Sequence, residues 1–177
     1  MAVLETIRSF FSPEIGFEVE SIISAEATAY SIRPLTIANL NEVLRLNLRC
    51  FRNGDNYTKH TFDYLLNEPR TLGYRTVSAG GEIVAFAFLM LNENASAHLT
   101  TIGVAPEHRR RGLGGQLIEH LESKARARNV ATMVLEVRVG NVEAQTLYRR
   151  LGYNVVQRIN KYYGNGEDCF LMMKALT

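Results

Sequence analysis

The stretch Ile102-Gly103-Val104-Ala105-Pro106-Glu107-His108-Arg109-Arg110-Arg111-Gly112-Leu113-Gly114 constrains the fold more than any other part of the chain. A strand pattern over 97–104 is broken by Pro106. A basic turn follows, and a helical pattern begins at the glycines. That helix, read over 113–128, puts Leu113, Leu117, Ile118, Leu121 and Ala125 on one face. Another strand pattern covers 131–139. A strand, a basic glycine turn, a helix and a strand in succession call for a sheet with a helix packed on it.

The flanking sequence extends this layer structure. Tyr30 to Arg33 reads as a strand ending at Pro34, and Thr36 can cap a helix carrying Ile37, Leu40, Val43, Leu44 and Leu48. After a polar loop, Arg52 to Asn56, Thr58 can cap a second helix with Phe62, Leu65 and Leu66, ending before Pro69. A hairpin follows, with strands over 74–79 and 82–91 about a Gly80-Gly81 turn. Asn141 can cap a helix whose face is Ala144, Leu147, Tyr148 and Leu151, stopped by Gly152. Two last strands are expected over 154–161 and 168–174. The expected fold is therefore α/β: a mixed sheet of about seven strands with helices on both faces.

The turn before 113 has a chemistry of its own. The first N–H groups of a helix have no intrahelical acceptor and carry partial positive charge. Glycines at 112 and 114 let an anion approach that backbone, and Arg109, Arg110 and Arg111 add charge. A pyrophosphate suits such a turn. It is not a nucleotide P-loop, because no GK[ST] follows, and the GxGxxG of a dinucleotide fold is absent. Whole-chain charge says little: 20 Lys+Arg against 18 Asp+Glu gives +2. The basic surplus lies between His108 and Arg128, with no aromatic-interleaved basic patch, so nucleic acid is not the expected partner.

Three ordered segments carry a family resemblance. Val104 to Gly114 resembles the acetyl-CoA signature (R/Q)-x-x-G-x-(G/A) of the GNAT superfamily. Leu135-Glu136-Val137-Arg138-Val139-Gly140-Asn141-Val142-Glu143-Ala144-Gln145-Thr146-Leu147-Tyr148 is similar to a block of N-terminal protein acetyltransferases, including the ribosomal-protein-alanine type. Lys161-Tyr162-Tyr163 with Gly166-Glu167-Asp168 resembles a third segment of that group. The similarity covers about residues 30–177. It implies the GNAT fold, acetyl-CoA as co-substrate and a peptide or protein α-amine as acceptor. Residues 109–115 (Arg109, Arg110, Arg111, Gly112, Leu113, Gly114, Gly115) would hold the pyrophosphate. Backbone of Ile102, Gly103 and Val104 would hold the pantetheine arm, with Asn141 a further cofactor contact. Phe51, Tyr57, Tyr162 and Tyr163 match aromatic positions around the acceptor. Adjacent tyrosines on a strand would point to opposite faces, so at most one of the last two is expected to line the cleft from that strand.

Acetyl transfer to an amine needs a group that takes the amine's proton and one that protonates the leaving thiolate. Glu136 stands in an otherwise apolar strand pattern, where a carboxylate is costly without a partner or a wet cleft. The resemblance makes it the base, acting through water; the plainer reading pairs it with Arg138, two residues on. Tyr148, on an apolar helix face, is implied as the acid, against a plain packing role. The Val104 N–H is the implied oxyanion donor. His98, taken to share a strand face with Thr100 and Ile102, reads as an ordinary strand histidine, against the second-base role that an ionisable residue at this position has in some members of the resembled family.

Other classes are set aside on simple grounds. Cys50 and Cys169 are far apart and the four histidines form no ligand pattern, so no metal is expected and a reducing cytoplasm is the natural setting. The N-terminus is not a secretory signal, and the longest apolar run, Ile83 to Leu91, is too short to span a membrane. Residues 1–28 are expected to be an extension carrying a short amphipathic helix (Val3, Leu4, Ile7, Phe10, Phe11), and the catalytic domain 29–177. Two other readings stay open: a GNAT acting on a small amine, and a non-catalytic acyl-CoA-binding module.

Overall fold

The computed structural model describes residues 30–51 and 57–176. The helix expected near Val3–Phe11 and the loop Arg52–Asn56 lie outside them. The elements are β1 (Ser31–Pro34), α1 (Leu40–Cys50), α2 (Lys59–Asn67), β2 (Thr71–Val77), β3 (Ile83–Leu91), β4 (Ser96–Val104), α3 (Leu113–Arg126), β5 (Thr132–Arg138), α4 (Val142–Arg150), β6 (Asn154–Ile159) and β7 (Cys169–Ala175). Short 3-10 turns at Ile37–Asn39 and Pro106–His108 precede α1 and α3. The expected elements thus all occur, with ends shifted by a few residues. Thr36 opens a 3-10 turn rather than the α-helix itself, its N–H donating to Asn39 Oδ1 at 3.1 Å. Thr58 caps α2 as expected, its Oγ1 accepting from the Thr61 N–H at 3.2 Å.

Seven strands form one mixed sheet in the order β1-β2-β3-β4-β5-β7-β6. Every neighbouring pair is antiparallel except β4–β5, which is parallel. Parallel strands need a crossover, and α3 supplies it. On one face α3 and α4 cover the sheet, and Leu117, Ile118, Leu121 and Tyr148 pack on Ala85, Ala87, Leu99, Leu135 and Met172. On the other face α1 and α2 bring Leu40, Val43, Leu46, Phe62 and Leu65 onto Val84, Phe86 and Phe88. Phe62 meets Phe86 edge to face and Phe88 at a tilt, with ring centroids 5.7 and 5.5 Å apart. Leu48, placed on the buried face of its helix by spacing, is instead 59% exposed: α1 turns its Leu40-Val43-Leu46-Asn47 stripe to the sheet.

Two irregularities in β4 shape everything that follows. It pairs with β5 only at Ser96, Ala97 and His98, opposite Thr132, Met133 and Val134. Past that point β4 runs to Val104 and β5 to Arg138 without further pairing, each bonded on its outer side, to β3 and β7. A gap therefore opens inside the sheet. The second irregularity is a bulge: Phe88 pairs with Thr101 and Leu89 with Leu99, so Thr100 is extra. One inserted residue exchanges the faces of everything beyond it. His98 consequently faces the α1/α2 side with Met90, whereas Ile102 packs on the α3 side. The expectation that His98 and Ile102 share a face is thus corrected.

Candidate active site

The glycine turn is built as its sequence requires. Gly112 caps α3 with φ +79, a left-handed conformation that a side chain strains. The first intrahelical bond runs from the Gln116 N–H to the Gly112 carbonyl at 3.0 Å, so the N–H groups of Leu113, Gly114 and Gly115 come before it. A Cβ on Gly114 would sit 3.3 Å from Leu147 of α4, so that glycine also lets two helices approach. The three arginines are not loose. Arg109 Nε donates to the Val104 carbonyl at 3.2 Å, and Arg110 pairs with Glu143 at 3.2 Å. Arg111 Nη1 donates to the Tyr30 hydroxyl at 2.9 Å. Arg49 pairs with Glu107 at the base of the turn.

The turn lies where β4 ends, beside the gap. The carbonyls of Thr100 and Val104 accept from Tyr57 Oη (2.9 Å) and Arg109 Nε, not from β3. An extended residue directs its N–H and C=O to one edge, so residues 100, 102 and 104 present backbone groups to the gap. The backbone expected to matter at Ile102 and Val104 therefore borders it. Gly103 pairs instead with Phe86 of β3, and a Cβ there would meet Phe86 at 2.7 Å and Cys50 Sγ at 3.1 Å. Asn141 caps α4, its Oδ1 accepting from the Ala144 N–H at 3.1 Å.

Glu136 sits on β5 between Leu135 and Val137, whose side chains enter the α3-side core, so its own faces the α1/α2 side. There it meets His98: Nε2 and Oε2 are 2.6 Å apart, with side chains 31% and 21% exposed. His98 is thus a partner of Glu136 beyond the Arg138 that spacing along the strand suggests, and the bulge turns it toward β5. Arg138 is engaged by Glu167 at 2.6 Å and lies 3.7 Å over the Tyr163 ring. Glu167 also accepts from the Gly140 N–H, so one carboxylate ties the end of β5 to the loop before β7.

Three tyrosines lie within electrostatic reach of Glu136. Burial raises the Tyr57 phenol, with smaller contributions from Tyr162 and Glu136. Burial likewise raises Tyr162, and Glu136 pushes it in the same direction. Tyr163 is raised mainly by burial and opposed by Arg138. Tyr162 and Tyr163 follow the end of β6 at Ile159 and lie off any strand. Strand alternation does not apply to them, and their rings stand edge to face at 5.1 Å. The reason for expecting only one of them in the cleft therefore falls away, and both phenols are within electrostatic reach of Glu136. Phe51 ends α1 and packs with the α1/α2 core beside Tyr57.

Tyr148 lies on the opposite face of the sheet. It is 6% exposed within the core that Ile102, Val104 and Val137 join, its ring edge-on to Tyr153 at 6.0 Å. Burial pushes its phenol up to about 12, so it stays neutral at physiological pH. A half-exposed carboxylate–imidazole pair thus stands on one side of the gap, and a buried neutral phenol on the other. Two partners escaped the sequence reading. His98 carries no sequence signal as the partner of Glu136, because period-2 alternation cannot register a bulge. Tyr30 seemed only a strand start, and its contact with a turn 81 positions away has no local signal.

Comparison with known proteins agrees with this architecture. The acetyltransferase (GNAT) family pattern matches residues 40–153. An N-alpha-acetyltransferase of Sulfurisphaera tokodaii is 26% identical over 159 residues, covering 83% of this chain and 93% of that protein. The [ribosomal protein bS18]-alanine N-acetyltransferase of Escherichia coli K12 is 39% identical over 101 residues, 54% of this chain and 66% of that protein. The crystal structure of the ribosomal-protein-S18-alanine N-acetyltransferase from Escherichia coli superposes with a TM-score of 0.77 at 30% identity, covering 84% of this chain and 95% of that one. Ard1 from Thermoplasma volcanium, at 23% identity and TM-score 0.77, shares the fold. The chain belongs to the GNAT family of acetyltransferase enzymes.

Proposed function

We propose that this enzyme transfers an acetyl group from acetyl-CoA to the α-amino group of a protein or peptide. The observation that carries the reading is the His98–Glu136 pair, set beside the gap and within electrostatic reach of Tyr57, Tyr162 and Tyr163. The names of the relatives point the same way, since they act on protein α-amines.

The residues present fit acetyl-CoA, which would supply an acetyl group activated as a thioester. The early N–H groups of α3, from Gly112 to Gly115, suit its pyrophosphate, with Arg109 to Arg111 around them. The edge formed by Ile102 and Val104 can hydrogen-bond an extended amide chain lying in the gap. The Val104 N–H, on that edge, serves as the oxyanion donor.

Glu136 takes the proton of the incoming amine, directly or through one water, and His98 holds the carboxylate in place. A peptide α-amine has a pKa of about 7.7–8.0 against about 10.4 for lysine, so a modest base suffices for the former near pH 7. Tyr148, on the far side of the gap, holds its proton until the sulfur leaves and then donates it. Its raised pKa keeps it in the donating form across the working range.

Two peptides test this reading, one with a free N-terminus and a blocked lysine, the other reversed. Mass spectrometry locates the acetyl group. Acetylation of the α-amine is expected. Preference for the lysine, or reaction of a small polyamine alone, would overturn the acceptor assignment.

A further inference from the structure

The phosphate turn has a support from outside the family-matched region. Tyr30 precedes β1 and stands ten positions ahead of the residues that match the family. Its ring packs against the α1/α2 core. Its hydroxyl lies 2.9 Å from Arg111 Nη1 and 2.9 Å from His108 Nδ1. Arg111 is donor-only, so the phenol oxygen accepts from it, and the phenol hydrogen is then available to the imidazole. The Tyr30 and His108 rings meet edge to face at 5.8 Å. Arg111 has a second tether, Nη2 to the Glu107 carbonyl at 3.4 Å.

We propose that Tyr30 is a positioning residue for the nucleotide end of acetyl-CoA, acting by holding the Arg111 guanidinium in place beside the N-terminus of α3. The inference rests on the acetyl-CoA reading above. A guanidinium has five N–H groups, and the two tethers use two of them. Three remain for an anion, on a side chain whose rotamer is already fixed. An untethered arginine would lose rotamer freedom on meeting the pyrophosphate, which weakens binding. Tyr30 removes that loss in advance. Arg110 is paired with Glu143, and Arg109 is held by the backbone carbonyls of Val104 and Cys50. Arg111 is therefore the arginine of the turn that a side chain of the packed core orients, through a neutral hydroxyl that leaves its charge unpaired.

The test uses Tyr30→Phe in the full chain, which keeps the ring and removes the tether. Calorimetry should find acetyl-CoA bound roughly 2- to 12-fold more weakly, the scale of one immobilised long side chain. KM for acetyl-CoA should rise by a similar factor with kcat and the peptide KM unchanged. S-acetylpantetheine, which lacks the pyrophosphate, should react equally with both proteins. Arg111→Ala should weaken acetyl-CoA binding, and adding Tyr30→Phe to it should cost nothing more. Equal acetyl-CoA affinity in Tyr30→Phe and wild type would overturn the positioning role, as would an equal loss with both donors, which marks a merely structural tyrosine. Failure of the wild-type chain to bind acetyl-CoA at all would instead overturn the functional reading on which it rests.

Discussion

Replacing Tyr148 with phenylalanine separates packing from chemistry. The ring is 6% exposed and would stay in place, edge-on to Tyr153. Burial is the cause of the phenol's raised pKa, with no hydrogen-bond contribution to it. Deleting the oxygen therefore strands no partner, and stability near pH 8 should change by no more than about 1 kcal/mol. Alkaline pH adds a signature. The unfolded tyrosine ionises near 10 and the folded one near 12, a difference of about two units, or about 2.7 kcal/mol at most. A raised folded pKa means stability that is complete below pH 10 and lost as pH rises toward 12. At pH 11 the loss is about 1.4 kcal/mol, and Tyr148→Phe should be spared it. Urea denaturation of both proteins at pH 8 and pH 11 measures this difference. If the hydroxyl is the proton donor, kcat at pH 8 should meanwhile fall by roughly 10²–10⁴. A folded variant with wild-type kcat would refute the catalytic role. A stability loss above about 3 kcal/mol at pH 8 would refute the claim that the hydroxyl has no structural partner.

Glu136→Gln should lower kcat/KM by roughly 10²–10⁴ while acetyl-CoA affinity, by calorimetry, stays unchanged. Adding His98→Ala to it should cost little more than Glu136→Gln alone, because the histidine acts through the carboxylate; additive losses in kcat/KM would reject that dependence. Gly114→Leu should weaken acetyl-CoA binding, since even its Cβ would sit 3.3 Å from Leu147 at the mouth of the phosphate turn; unchanged affinity in a folded protein would count against the turn as the binding site. Gly103→Ala should cost about 1–3 kcal/mol in chemical denaturation, because its methyl would press on Phe86 at 2.7 Å; a neutral result would mean that the ring can yield.

The elements and the phosphate turn were legible because each is written in local sequence. Pro106, the arginines and Gly112 specify the turn within one short stretch, and Thr58, Asn141 and Gly152 mark helix ends by rules that act over three or four residues. What stayed hidden was set by register. The Thr100 bulge is a pairing irregularity between β3 and β4, and nothing in Ser96–Val104 alone reveals that one residue is extra. A partner of Glu136 on the neighbouring strand, His98, is therefore invisible to spacing along β5, which offers only Arg138 two residues on. The sequence of Tyr162 and Tyr163 continues a strand-like run, but β6 stops at Ile159 and Lys161 takes a left-handed turn with φ 51. Leu48 followed the helical period, yet the face that α1 buries is chosen by how it meets the sheet.

The two sides of the gap differ in their access to water, and that difference bears on turnover. His98 and Glu136 keep roughly a third and a fifth of their side-chain surface exposed, so a proton collected there can pass to solvent promptly. Tyr148 has almost no such surface, and as a phenolate it would be a charge buried among Leu135, Val137 and Tyr153. In the proposed cycle the half-exposed side recovers on its own, whereas the buried side recovers only when a proton travels inward. Recharging the tyrosine thus becomes a step distinct from making the amide bond, and it would register as a solvent isotope effect that persists when the amine is saturating.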